Sequence, residues 1–257
     1  MFNDILGSVS LYDMLCYFFL YGFFGWVIEV VYATLKTGEF VNRGFLNGPI
    51  CPIYGVGMAL AVLLLNTVAD KWWLLFLAGM ALATALEFLT GFVLDKIFKT
   101  KWWDYTKEPL NIKGYVCLRF SILWGIGIVL VFNTLVPLSD KLIDVIPAKW
   151  WGLAIILALA AVLIADVITD IAQLKHLNDK FKEMDNVAIL LRKESDAIGG
   201  KISGATVVLS DKLKKLKASV LKSRIVKAFP LIGEKGGRVA ADSAVTDDNG
   251  EKKEEND

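Results

Sequence analysis

The sequence has a single histidine, His176, and three cysteines, Cys16, Cys51 and Cys117, with no C-x-x-C spacing. A transition-metal site needs clustered imidazole or thiolate ligands, so no metal is expected. An odd number of thiols in or beside apolar runs points to free cysteines, not to a disulfide frame or a zinc site. No G-x-x-x-x-G-K-[ST] phosphate loop occurs, so the chain cannot be its own ATPase, and no cofactor is expected. Met1 to Leu11 contains Asp4 and neither Lys nor Arg, so it lacks the basic start of a cleavable signal peptide. The first apolar run is therefore expected to direct insertion itself. Aromatic residues are scarce in the basic C-terminal third (Phe181 and Phe229), which argues against stacking on nucleic acid.

What is present is apolar length. The 257 residues are 55% hydrophobic, and several runs of about 20 residues match a bilayer core of ~30 Å at ~1.5 Å per residue. An all-α, polytopic integral membrane protein is expected: a five-helix bundle with a basic amphipathic cytoplasmic tail. The helices are placed at about 14–35, 52–69, 72–94, 115–136 and 150–168, within a membrane domain of residues 1–172. A cytoplasmic helical tail follows at 173–235, then a disordered acidic end at 236–257. In the tail, Leu209, Leu213, Leu216 and Val220 recur at helical spacing among seven basic residues between Lys212 and Lys227. Such a helix lies on an anionic membrane surface or binds a partner.

Polar and small residues share faces on two of the predicted membrane helices. Gly22, Gly25, Trp26 and Glu29 lie on one stripe of the first, and Thr84, Glu87, Gly91 and Asp95 on one stripe of the third. The likeness suggests that the two faces meet. Glu29 is either hydrogen-bonded at a helix interface or in contact with a substrate or ion, since ionisable groups at membrane depth tend to be functional. Between these helices, Asn42 to Pro49 and Pro52 to Gly55 carry too many glycines and prolines for a continuous helix. A tight turn or a short re-entrant segment is expected there. Arg43 is an interfacial anchor, an anion ligand or the partner of Glu29. Asp166 and Asp170 read as solvated carboxylates where the fifth helix leaves the membrane.

Lys-Trp-Trp occurs three times, at 71–73, 101–103 and 149–151. The first and third lead into apolar runs, as interfacial anchors do. The second leads into Asp104, Tyr105 and a polar loop that also holds Glu108 and Asn111. Anchoring accounts for Trp102 and Trp103, whereas Asp104 and Asn111 suit turn-type bonds to the loop backbone. With the C-terminus inside, Lys36, Arg43, Lys96, Lys99, Lys101, Lys107, Lys113 and the basic tail are cytoplasmic, and only Lys71, Lys141 and Lys149 are outside. That bias predicts a cell-membrane protein with its N-terminus out and C-terminus in. Glu29 and Glu87 then lie ~10–12 Å, and Arg119 ~7 Å, below the cytoplasmic surface. Three such groups should pair, walling a cytoplasm-facing polar pocket between helices one, three and four.

Tyr21 to Glu29, Asn42 to Pro49 with Pro52 to Gly55, Glu87 to Gly91, and Trp102 to Tyr105 with Asn111, Gly114 and Ser121 to Gly125 resemble the motifs of the putative ABC-transporter type IV family. The resemblance covers roughly residues 12–137. It implies a bacterial multi-pass membrane protein with a permease-like role. It marks Glu29, Arg43, Asn47, Glu87, Trp103, Asp104, Tyr105 and Asn111 as motif positions, and Arg119 joins them as a candidate substrate-binding residue from its depth. A transporter or permease component is the first functional expectation. Its partners are the lipid bilayer, a separate nucleotide-binding subunit if transport is ATP-driven, and a second copy if five helices make too small a path. The alternative is a membrane-embedded enzyme or regulator acting on a lipid or cell-envelope precursor, with Asp104, Glu108, Glu87 and Arg119 supplying acid–base chemistry and phosphate binding.

Overall fold

A computed structural model of the chain describes residues 9–98, 101–145, 150–198 and 204–232. The predicted acidic end, 236–257, lies outside them. The chain divides into two compact units, Met1–Asp170 and Ile171–Asp257.

Helix α1, Leu11–Thr37, opens with a capping box. Ser10 Oγ accepts from Asp13 N at 3.2 Å, and Asp13 accepts from Ser10 N at 3.0 Å, so two of the helix's orphan donors are matched. It ends at Gly38, whose φ of 76° lets its N–H turn back to the Thr34 carbonyl. The next stretch is irregular and runs back along α1. Gly44 lies against Trp26, and Cys51 N donates to Gly22 O at 2.8 Å. Gly22 is near the middle of α1, so α2 (Pro52–Leu65) starts halfway along its neighbour. Pro52 at its first position needs no hydrogen-bond acceptor. A single 3₁₀ turn, Asn66–Val68, ends this helix before α3, Trp72–Phe98.

A full-length second membrane helix is not seen. The 14 residues of α2 span only ~21 Å, short of a ~30 Å hydrocarbon core. Among the described residues four helices are long and apolar enough to cross: α1, α3, α4 (Leu118–Val145) and the Trp150–Leu191 part of α5 (Trp150–Ile198). The chain is an all-α, polytopic membrane protein. Between α3 and α4 two short strands, β1 (Asn111–Ile112) and β2 (Val116–Cys117), pair antiparallel and delay the start of α4 from the expected Tyr115 to Leu118. Helix α5 overruns its expected end at Ile168 because neither Gly nor Pro follows Gly152 before Ile198; the apolar stretch stops but the helix does not.

Small residues set the seams. A Cβ on Gly25 would collide with the Tyr54 ring, and one on Gly55 would meet Phe18 O at 2.5 Å, so α1 and α2 pack backbone to backbone. Gly79 and Gly125 do the same for α3 and α4, against Ile128 and Phe76. A core of Tyr17, Tyr21, Ala61, Leu65, Leu75, Phe132 and Val136 ties α1, α2, α3 and α4 together. Within it Tyr21 Oη is linked to Ser139 Oγ at 3.0 Å, and Tyr17 Oη donates to Asp140.

In the second unit, α6 (Gly204–Leu221) and the short α7 (Arg224–Ala228) follow the distal part of α5. Lys180 Nζ donates to Ser219 Oγ at 2.7 Å and Lys212 pairs with Glu183 at 2.8 Å, so α6 runs antiparallel to α5. The expected basic helix at 207–229 is broken at Lys222–Ser223. Leu209, Leu213 and Leu216 are half-buried and Val220, Ile225 and Val226 are buried, while the lysines at 212, 214, 215, 222 and 227 stay outside. Much of the apolar stripe is thus covered.

Candidate functional site

The two small-polar faces do not meet as expected. Tyr54 fills the notch left by Gly25, and Trp103 and Tyr115 fill the one left by Gly91. Each glycine face therefore receives a large aromatic residue from a neighbouring segment, and the acids are reached through those aromatics.

On the α1 side, Glu29 accepts from Tyr54 Oη at 2.9 Å and pairs with Arg43 Nε at 3.5 Å. Arg43 also lies over the Tyr32 ring, 5.1 Å from its centroid. The side chains of Glu29 and Arg43 keep 27% and 31% exposure, so the pair is reachable by solvent. On the α3 side, Glu87 is 8% exposed and accepts from Tyr105 Oη at 3.1 Å. Tyr105 stacks on Phe120 at 4.7 Å. Trp124 of α4 joins the two sides: it lies beside Glu87 and meets Tyr54 edge-on at 5.8 Å. Burial first and Glu87 next, with smaller contributions from Cys117 and then Glu29, push the Tyr105 phenol above its ordinary range, so both carboxylates bear on one hydroxyl. Glu87 Oε2 and Trp124 Nε1 are buried without a hydrogen-bond partner.

The remaining candidate residues are held elsewhere. Asn47 gives both its backbone N and its Nδ2 to Asp170, at 2.9 and 2.7 Å. Asp170 is fully buried, and its neighbour Asp166 accepts from Gly48 N at 2.7 Å. The expectation that these aspartates are solvated is therefore corrected: they clamp the irregular stretch, whose amides find no partners in a helix. Trp103 Nε1 donates to the Tyr115 carbonyl at 2.8 Å. Asp104 is raised by burial, but bonds from the Thr106 hydroxyl and amide, with Lys101 beside it, outweigh this and hold its carboxyl below the usual range. Asn111 binds the Thr106 and Glu108 carbonyls and accepts from Gly114 N, which fixes Gly114 at φ 75°. Asp104 and Asn111 thus hold the loop's own backbone.

Arg119 is a further correction. Its side chain is 66% exposed and pairs with Glu108 at 3.6 Å, away from Glu87, because the β1–β2 turn carries it out to the surface. The site thus gathers Glu29, Arg43, Glu87 and Tyr105 from the expected set, and it leaves Asn47, Trp103, Asp104, Asn111 and Arg119 in supporting or outward positions. Sequence reasoning missed Tyr54 and Trp124 as the links. Both stand in noted motifs, but only their placement opposite Gly25 and Glu87 reveals the role. It also missed Asp170, for which an acid at i+4 from another on an apolar helix was the available signal. Among the described residues no group of acids, His and Cys could hold a metal ion.

An open groove of about 800 Å³ between α3, α4 and the β1–β2 turn is walled by Phe88, Leu110, Ile112 and Leu118. No ionisable candidate residue lines it, and its apolar walls suit lipid contact.

Comparison with curated proteins and with solved structures returned no match. The family described as "Putative ABC-transporter type IV" matches residues 16–171, which include all the site residues above and both clamping aspartates, and the chain belongs to that family.

Proposed function

We propose that the chain carries its cargo past a cytoplasm-facing polar pocket built from Glu29, Arg43, Tyr54, Glu87, Tyr105 and Trp124. Family and four apolar spans make it a multi-pass membrane transporter or permease component, in contact with the bilayer. The observation that carries the pocket is the start of α2 at Gly22, halfway along α1, with the Glu29–Arg43 pair and Glu87 gathered around its first turn. Helices broken at mid-membrane leave polar backbone and a positive helix end inside the bilayer, an arrangement that suits solute binding.

The irregular stretch and α2 together act as a fifth, broken crossing. Support comes from the far end of α2, where Leu65 and Val68 share one apolar cluster with Val9 and Tyr17 near the start of α1. Five crossings, with the lysine bias, give an N-terminus outside and a C-terminus inside. The cytoplasmic segments then offer a docking face for a separate nucleotide-binding subunit, which the chain needs if transport is ATP-driven. A membrane-embedded enzyme is not favoured: Asp104 and Asn111 spend their polar atoms on their own loop.

Uptake decides the matter. Membrane vesicles bearing the chain, screened with candidate solutes, accumulate one of them, and Glu29→Gln or Arg43→Gln cuts that uptake at least about tenfold, as loss of one charged contact would. Unchanged uptake in both variants would remove the pocket.

A further inference from the structure

Among the described residues the buried acids of the membrane unit are Glu87 and Asp170, and Glu87 is the one held by neither a cation nor an amide. Glu29 is taken up by Arg43 and Tyr54. Asp166 and Asp170 hold backbone amides, and Asp95, two turns beyond Glu87, accepts from Tyr115 at 2.6 Å. The groups facing Glu87 are Tyr105 from the central loop and Trp124 from α4, with the Glu29–Arg43 pair and Tyr54 on the α1–α2 side. One turn before it on α3, Thr84 is bonded to Ser121 of α4. Arg119, the nearest arginine on α4, is paired with Glu108 at the surface. The acid is more than nine-tenths buried, one oxygen has the Tyr105 hydroxyl, and the other lies beside the Trp124 indole without a well-formed hydrogen bond.

A carboxylate out of water and without a cation is far more costly than the same group as a neutral acid with one unmet hydroxyl. From this geometry we infer that Glu87 is a reversible proton-binding site, neutral in the arrangement seen here and exchanging its proton with water when the pocket opens. The bond formed is Oε2–H, the proton comes from solvent, and the carboxylate loses its single negative charge. The inference rests on the pocket proposed above and names the ion that pocket handles. A proton bound beside Glu29 and Arg43 couples the movement of a cargo through that pocket to proton binding.

Infrared difference spectroscopy on the full chain in lipid vesicles, stepped in pH in H₂O and in D₂O, tests it. A protonated-carboxyl C=O band that shifts in D₂O should be present at neutral pH, vanish in Glu87→Gln and survive in Glu29→Gln. Tyr105→Phe keeps the acid and removes the hydroxyl bonded to it, so it should move the band to higher frequency; this variant serves if Glu87→Gln does not fold. A band unaffected by either variant overturns the assignment. So does a Glu87 signal that stays ionised throughout and responds to added sodium or potassium, which would make this a metal-cation site. Solute uptake sensitive to Arg43→Gln in vesicles lacking the Glu87 band would leave the pocket standing and remove only the proton.

Discussion

At the scale of single residues, charge alone does not say which ionic contacts matter. Asp170 and Arg119 are both ionisable groups on membrane helices, yet one is fully buried and the other mostly exposed. Asp170 receives two N–H donors from Asn47, and each hydrogen bond to a charged acceptor contributes about 1.5–3 kcal/mol. Asp170→Asn turns one acceptor into a donor facing a donor, so it should cost about 3 kcal/mol and lower the thermal midpoint of the detergent-solubilised chain by several degrees. The Arg119–Glu108 pair is exposed, and Arg119→Gln should cost about 0–1 kcal/mol. Equal midpoints for the two variants would mean that the clamp on Asn47 is not holding the fold. The sequence marked both residues but ranked them in the opposite order. Depth counted along a helix gave each its height, and nothing in the counting shows which way a side chain faces once a turn such as β1–β2 intervenes.

Elements tell a different story about legibility. The apolar runs that became α1, α3, α4 and the membrane part of α5 were readable because length and hydropathy alone specify a span. The breaks were readable too, since Asn42 to Gly55 could not be one helix. What the sequence could not give was where the broken piece would lie, because that depends on which glycine opposes which ring. Gly25 against Tyr54 is the deciding contact, and it seats the α2 start beside Glu29. Gly25→Leu should therefore displace Tyr54, cost at least about 1–3 kcal/mol through overpacking, and reduce the yield of monodisperse protein on size exclusion. Gly127→Leu is the matched control, since a Cβ there meets nothing within 4 Å. Were Gly127→Leu the more damaging change, the α1–α2 seam would not be what positions the pocket.

For the molecule as a whole, the number of crossings fixes which side each end occupies, and the broken element decides the number. If the stretch from Gly38 to Val68 crosses, the α2–α3 turn at Lys71 is outside and the β1–β2 turn is inside. If that stretch dips in and returns, its two ends, at Glu39 and Lys71, lie on the same side. The presence of Leu65, Val68 and Val9 in one apolar cluster favours a crossing, as does the concentration of Lys101, Lys107 and Lys113 around the β1–β2 turn. Single cysteines at Glu39 and Lys71, in a chain whose Cys16, Cys51 and Cys117 are replaced, distinguish the two cases. Both positions are exposed, so their replacements are accessible to reagent. An impermeant maleimide should label Lys71→Cys on intact cells and Glu39→Cys only in inside-out vesicles. Labelling of both from one side would reduce the chain to its four unbroken spans, take the α2 start out of the permeation path, and leave Glu29 and Glu87 without a shared opening to the cytoplasm.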